Sequence, residues 1–232
     1  HKVRAKQPIF TKRKRLRKIE TSEEKEQALT KESYIKNQWH QEVEFLKNLK
    51  LTLIITIAIF FGSITMAAIL GLINPELIDL GKDFIYQALG DIAGAQTNSE
   101  LFIFIAANNI QALTLMIFMG ILPFIFLPAF TLITNGAIIS VATFLGLEKM
   151  SFLAIIAHIM PHGIIELPMI WLSCALGFYL CLSVSKKIIG ESSLKTALGN
   201  ILRTYIMIII PGTLLAAIIE SYITPIIGSL FL

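Results

Sequence analysis

The sequence is short of charge: only 16% of its 232 residues are Asp, Glu, Lys or Arg, against about 25% in soluble domains. From Leu51 to Ile73 there is no charged residue at all. A stretch of that length is not the solvated face of a globular domain; it is long enough to cross a bilayer. Cysteine is scarce as well. Cys174 and Cys181 lie seven positions apart in an apolar run, on roughly one helix face, where geometry disfavours a disulfide and buried thiols act as small hydrophobes. His-Glu-x-x-His, the pattern of intramembrane metalloproteases, is missing, and no other enzyme motif is present. No cleavable signal peptide is apparent, because about fifty polar residues precede the first apolar run.

What is present in excess is apolar sequence, 55% of the chain, gathered into runs of about 20 residues or more. The fold class is therefore all-α: a polytopic membrane helical bundle. Charge sets its orientation. Fourteen of the twenty Lys and Arg fall in residues 1–50, and Lys186, Lys187, Lys195 and Arg203 form a second group. Between Asn74 and Glu100 there are five acidic residues and only Lys82. By the positive-inside rule, 1–50 and 185–203 face the cytoplasm and 74–100 face out. An odd number of crossings must then separate the last two. Five spans follow, at about 51–73, 101–121, 123–146, 164–184 and 204–224, in a plasma-membrane protein with its N-terminus cytoplasmic and its C-terminus extracytoplasmic.

Three regions are expected: a basic tail over 1–30, an amphipathic interfacial helix over 31–50, and the transmembrane domain over 51–232. The tail carries Lys12-Arg13-Lys14-Arg15-Leu16-Arg17-Lys18. It reads as a solvated cytoplasmic tail or as a patch drawn to anionic lipid headgroups; nothing else supports nucleic-acid binding. In 31–50, Ile35, Trp39, Val43, Leu46 and Leu49 recur at helical steps, which suits the membrane interface or a partner. Gly62, Ser63, Thr65 and Ala67 give the first span small positions where another helix can approach. Glu76–Leu89 reads as a short amphipathic helix outside the membrane.

Two regions predict broken or re-entrant backbone. Near 120–136, Gly120, Pro123 and Pro128 interrupt an apolar stretch, and Asn135-Gly136 suggests a locally open helix. Near 151–163, a run of thirty-four residues from Ser151 to Val184 is too long for one straight span, with Pro161 and Gly163 as the natural break.

Only four ionisable residues lie inside the long apolar runs: His158, His162, Glu166 and Glu220. Groups in such places are costly and mark function by default. The span assignment puts Glu166 near the outer face. Glu220, sixteen residues into an outward-running span, lies about 24 Å along it and so at a similar level, while Asn108 and Asn109 lie about 10 Å below the outer face. Asn135 falls near mid-membrane. A shared cluster of His162, Glu166, Glu220, Asn108, Asn109 and Asn135 is the candidate site. His158, His162 and Glu166, at i, i+4 and i+8, would make a divalent-metal set, zinc for example, if one helix face carried them. A His–Glu pair fixing helix packing and a proton relay are the other readings.

Asn108-Asn109, Asn135-Gly136, Pro161-His162-Gly163-Ile164-Ile165-Glu166-Leu167-Pro168 and Ala216-Ala217-Ile218-Ile219-Glu220-Ser221-Tyr222-Ile223-Thr224-Pro225 together resemble the stage II sporulation protein M family. The resemblance covers roughly residues 45–228. It implies a multi-span inner-membrane protein with no established catalytic residues. In spore-forming bacteria the namesake looks like a membrane anchor that recruits cell-wall-degrading partners during engulfment; relatives also occur in organisms without sporulation or murein. The expected function is a non-enzymatic membrane scaffold or assembly factor. It would be a homodimer or larger, set in the lipid bilayer, with a membrane or extracytoplasmic protein as partner. A transporter or channel using the cluster as an ion or proton path, and a metal-dependent membrane hydrolase, are the alternatives.

Overall fold

A computed structural model describes residues 32–93, 97–122, 124, 126–190 and 194–230. The chain forms two units, His1–Lys47 and Asn48–Leu232. The basic tail expected over 1–30 lies outside the described residues. Residues 32–48, most of them in the first unit, are helical and are called α1. Of the apolar stripe expected over 31–50, Ile35, Trp39 and Val43 are exposed, Leu46 is half-buried and Leu49 is buried.

Among its described residues, the second unit holds five helices long and apolar enough to cross a membrane. These are α2 (Lys50–Ile73), α4 (Asn98–Phe118, continued by a tight turn at Met119–Ile121), α5 (Phe126–Leu147), α6 (Phe152–Ile188) and α7 (Leu194–Ser229). Between α2 and α4 lies the amphipathic α3 (Glu76–Ala93). Local chemistry sets the ends. Asn74-Pro75 stops α2, since proline cannot donate to a continuing ladder. Thr97 and Glu100 exchange hydrogen bonds with each other's backbone N–H groups in a capping box that starts α4. The Ser151 hydroxyl accepts from the Ala154 N–H and starts α6. Gly190, at φ +82°, takes the left-handed geometry that closes the end of α6 and that a side chain would resist.

Helix α6 is the centre of the bundle and packs against α2, α4, α5 and α7. More than half of its apolar window is buried (56%), against 11% for α2, which is therefore peripheral. Lipid is as apolar as a protein core, so these helices associate through close packing of small residues and polar contacts. Gly120 sits against the backbone of Gly177, so that the end of α4 touches α6 main chain to main chain. Gly136 of α5 rests on Ser63 and on the Phe60 carbonyl of α2. Phe60 is fully buried and meets Trp171 of α6 edge to face, with ring centroids 5.9 Å apart.

The structure departs from the expected breaks in two places. Helix α6 runs unbroken through Pro161, Gly163 and Pro168 for 37 residues; there is no re-entrant piece at 151–163. Proline removes one N–H from the ladder, whereas a true break would strand several backbone groups in lipid, and the helix is the cheaper solution. At 1.5 Å per residue α6 is about 55 Å long, well beyond a hydrocarbon core of about 30 Å. Likewise Asn135-Gly136 is ordinary helix, the glycine serving close approach. Near Gly120 the expected irregularity is present: the tight turn ends at Leu122 in extended backbone, and Pro123 lies outside the described residues. Cys174 and Cys181 are buried free thiols.

Irregularity occurs instead in α7, where Tyr205–Ile209 and Ile219–Ile223 are π turns. Each ends two residues before a proline, Pro211 and Pro225, and in each the residue preceding the proline donates five residues back, Ile210 to Tyr205 and Thr224 to Ile219.

Two contacts fix which ends share a side. Lys82 of α3 pairs with Glu148, just past α5, at 3.1 Å, and with Asp79 at 3.3 Å. Ser99 at the start of α4 meets Tyr222 near the end of α7 at 3.1 Å. The hydrogen bonds and charges of Glu148 and Asp79 hold the Lys82 ammonium above its ordinary pKa. A raised folded-state value means the tie is intact below the ordinary lysine range and is lost as pH climbs above it. Hydrogen exchange in α3, corrected for intrinsic rates, should therefore rise at strongly alkaline pH in the wild type and show no such step in Lys82→Met.

Candidate functional site: an intramembrane cluster of His, Glu and Asn

Side chains from α4, α6 and α7 converge at one level of the bundle. His162 and Glu166 are one turn apart on α6 and so share a face. Glu220 reaches them from the second π turn of α7. One ligand atom from each of His162, Glu166 and Glu220 lies within 4.8 Å of the others. Asn109 of α4 donates from Nδ2 to Glu166 Oε1 at 2.7 Å. Thr224, one turn beyond Glu220, places its hydroxyl 3.3 Å from His162 Nδ1.

The other candidates stand differently. His158 lies one turn before His162 but bonds through Nδ1 to the Ala154 carbonyl of its own helix at 2.7 Å. Its ring lies against Gly228, where a side chain at that position would overlap it. His158 is thus outside the trio, and Glu220 takes the third place. Asn135 bonds to the Thr131 carbonyl at 2.8 Å and lines, with Asn109 and Glu166, a cavity of about 20 Å³. Asn108 is exposed on α4, because adjacent helical residues are turned by about 100° and only one of two can face inward.

Two polar contacts between helices escaped the sequence reading. Thr224 stands in the quoted Glu-x-x-x-Thr-Pro motif, and its i+4 spacing from Glu220 was the available signal. The hydroxyls of Thr114 and Tyr205 meet between α4 and α7 at the first π turn; nothing in their spacing announces it.

The cluster sits within runs of α4, α6 and α7 that hold no Lys or Arg: Asn98–Ile121, Phe152–Ser185 and Thr204–Ser229. Its two carboxylates therefore have no basic side chain near them on their own helices, where Lys186, Lys187, Lys195 and Arg203 all lie at the opposite ends. Chemically it offers one imidazole, two carboxylates and an amide that orients one of them.

No curated protein and no solved structure matches the chain. The family model for stage II sporulation protein M matches residues 51–225. That range contains every residue of the cluster and runs from the first span to Pro225. The chain belongs to the stage II sporulation protein M family.

Proposed function

We propose that the protein is a non-enzymatic scaffold or assembly factor of the plasma membrane, acting as a homodimer or larger and holding a membrane or extracytoplasmic partner. The observation that carries this reading is the size of the cavity at the cluster. At about 20 Å³ it has room for one water, far below the 300–1,000 Å³ of a small-molecule site. A site so small suits tying helices together better than seating a substrate. The weakly buried α2, with Leu51, Ile54, Phe61, Met66 and Ile69 exposed, supplies an apolar face for lipid, a second copy or a partner. The Lys and Arg of 1–50 and 186–203 favour an N-terminus in the cytoplasm and a C-terminus outside.

Cross-linking in native membranes, followed by extraction into nanodiscs, tests the reading. The expected result is a homo-oligomer that brings a second membrane protein with it; a strict monomer with no companion would overturn it. One observation favours a transport reading, namely three ionisable groups within 4.8 Å at membrane depth, where relays are built. Proteoliposomes should show no proton or cation flux. Flux that disappears on Glu166→Gln would replace the scaffold with a transporter.

A further inference from the structure

We infer that His162, Glu166 and Glu220 form a binding site for one divalent transition-metal ion of the Zn²⁺ class, which clamps α6 to the second π turn of α7. The inference goes beyond the scaffold reading and does not depend on it.

Four features of the cluster point the same way. The first is charge. Two carboxylates lie together at membrane depth, and their own helices bring no Lys or Arg near them. Burying uncompensated charge in lipid is expensive, and a divalent cation between two carboxylates makes the group neutral. The second is distance. Ligands held about 2.0–2.2 Å from one Zn²⁺ stand up to roughly 4 Å apart. Ligand atoms already within 4.8 Å of one another need only a small side-chain adjustment to close on an ion.

The third is the outer layer of hydrogen bonds. A metal-bound imidazole usually donates its other N–H to an oxygen, and ligating carboxylates are hydrogen-bonded in turn. Thr224 is placed to accept from His162 Nδ1, which leaves Nε2 for the ion, and Asn109 donates to Glu166 Oε1. Among the described residues, Glu220 has no hydrogen-bond partner of its own, and the ion is the partner that satisfies it. The fourth is room. The cavity of about 20 Å³ against Glu166, Asn109 and Asn135 fits one water, so Glu166 has space beside it in which to shift onto an ion. Imidazole in the set favours zinc, copper, iron or nickel over magnesium, calcium or manganese.

The π turn is part of the device. Such turns recur at functional sites, and this one carries Glu220 while leaving Thr224 aimed at His162.

The test uses the full chain without a histidine tag, purified in detergent, stripped with chelator and titrated with ZnCl₂ by calorimetry, with elemental analysis after desalting. The wild type should retain one equivalent of Zn²⁺ more than Glu220→Gln retains. Asn109→Ala should bind about 10–100-fold more weakly, and Asn108→Ala, next in sequence but exposed, should bind like wild type. Zn²⁺ should raise the unfolding temperature of the wild type and leave that of Glu220→Gln unmoved. A wild type that retains no Zn²⁺, or a folded Glu220→Gln that retains as much, overturns the site. Should Glu220→Gln fail to fold, Asn109→Ala decides: affinity equal to that of Asn108→Ala overturns the inference, and a loss of tenfold or more sustains it.

Discussion

Gly120→Ala should abolish the folded bundle, while Gly62→Ala, the same chemical change on the peripheral α2, should stabilise it slightly. A methyl group on Gly120 would overlap the carbonyl oxygen of Gly177 and lie 2.8 Å from its carbon and 3.0 Å from its Cα. All three atoms are backbone, so no side chain can swing away, and the end of α4 must leave α6. Overpacking typically costs 1–3 kcal/mol, and this case, with only main chain to move, should exceed about 3 kcal/mol. The loss falls on the helix that every other span packs against. Gly62 has no atom within 4 Å of the position a methyl would take. There the substitution only stiffens the unfolded chain and should add about 0.5–1 kcal/mol. Unfolding by SDS in mixed micelles measures both. A Gly120→Ala protein as stable as wild type would mean that α4 and α6 do not meet through their backbones.

Phe60→Ala should be the most damaging truncation on α2, at about 3 kcal/mol, with Phe61→Ala costing less than about 1 kcal/mol. Phe60 is fully buried and Phe61 is half exposed, although both rings pack near Trp171, each with centroids 5.9 Å from it. In water, Phe→Ala in a core costs 3–5 kcal/mol, part of it transfer from solvent. Here the unfolded reference is lipid, so that part shrinks. What remains is the lost packing around an unfillable gap and an aromatic pair worth about 0.5–1.5 kcal/mol. The low end of the aqueous range is therefore expected for Phe60. Phe61 can exchange its ring for acyl chain. Equal losses at both positions would show that α2 is enclosed on both faces, for instance by a second copy.

How much of this was legible beforehand follows from the range over which each force acts. The five apolar helices are local statements about hydropathy, and they can be read from runs such as Leu51–Ile73. The placement of polar groups by depth is also close to local, because 1.5 Å of rise per residue converts sequence position into height. That is why Glu166, Glu220 and Asn109, chosen by height, stand together in the structure. Direction around the helix axis is not local. Asn108 and Asn109 have the same chemistry and, about 1.5 Å apart along the axis, nearly the same height, and only the packing of α4 turns the second inward. His158 shares a face with His162 by periodicity, yet Gly228, seventy residues on, leaves a hollow that takes its ring. Pro161 gave a strong stop signal that lipid overrode, since an open backbone costs more there than in water. The π turns are the least legible feature. Pro211 and Pro225 mark them only once the five-residue bonds of Ile210 and Thr224 are known.

Those two turns have a consequence for how α7 is read. A π turn holds one residue more than an α turn, and so sets everything beyond it back by about 100° relative to an unbroken α-helix. Two of them between Thr204 and Thr224 add up to a slip of about 200°, more than half a revolution. A helical wheel drawn for Leu194–Ser229 at a constant 3.6 residues per turn would therefore place the residues after Ile223 on nearly the wrong side of the axis. Deleting one residue between Ile219 and Ile223 should turn the π turn into an α turn, removing the extra residue and its slip together, and so leave Thr224 facing His162 and Gly228 beneath His158. Deletions are usually judged by what they remove; in this helix one made outside the π turns would be felt as a rotation of the whole far end, and one made inside them would be absorbed.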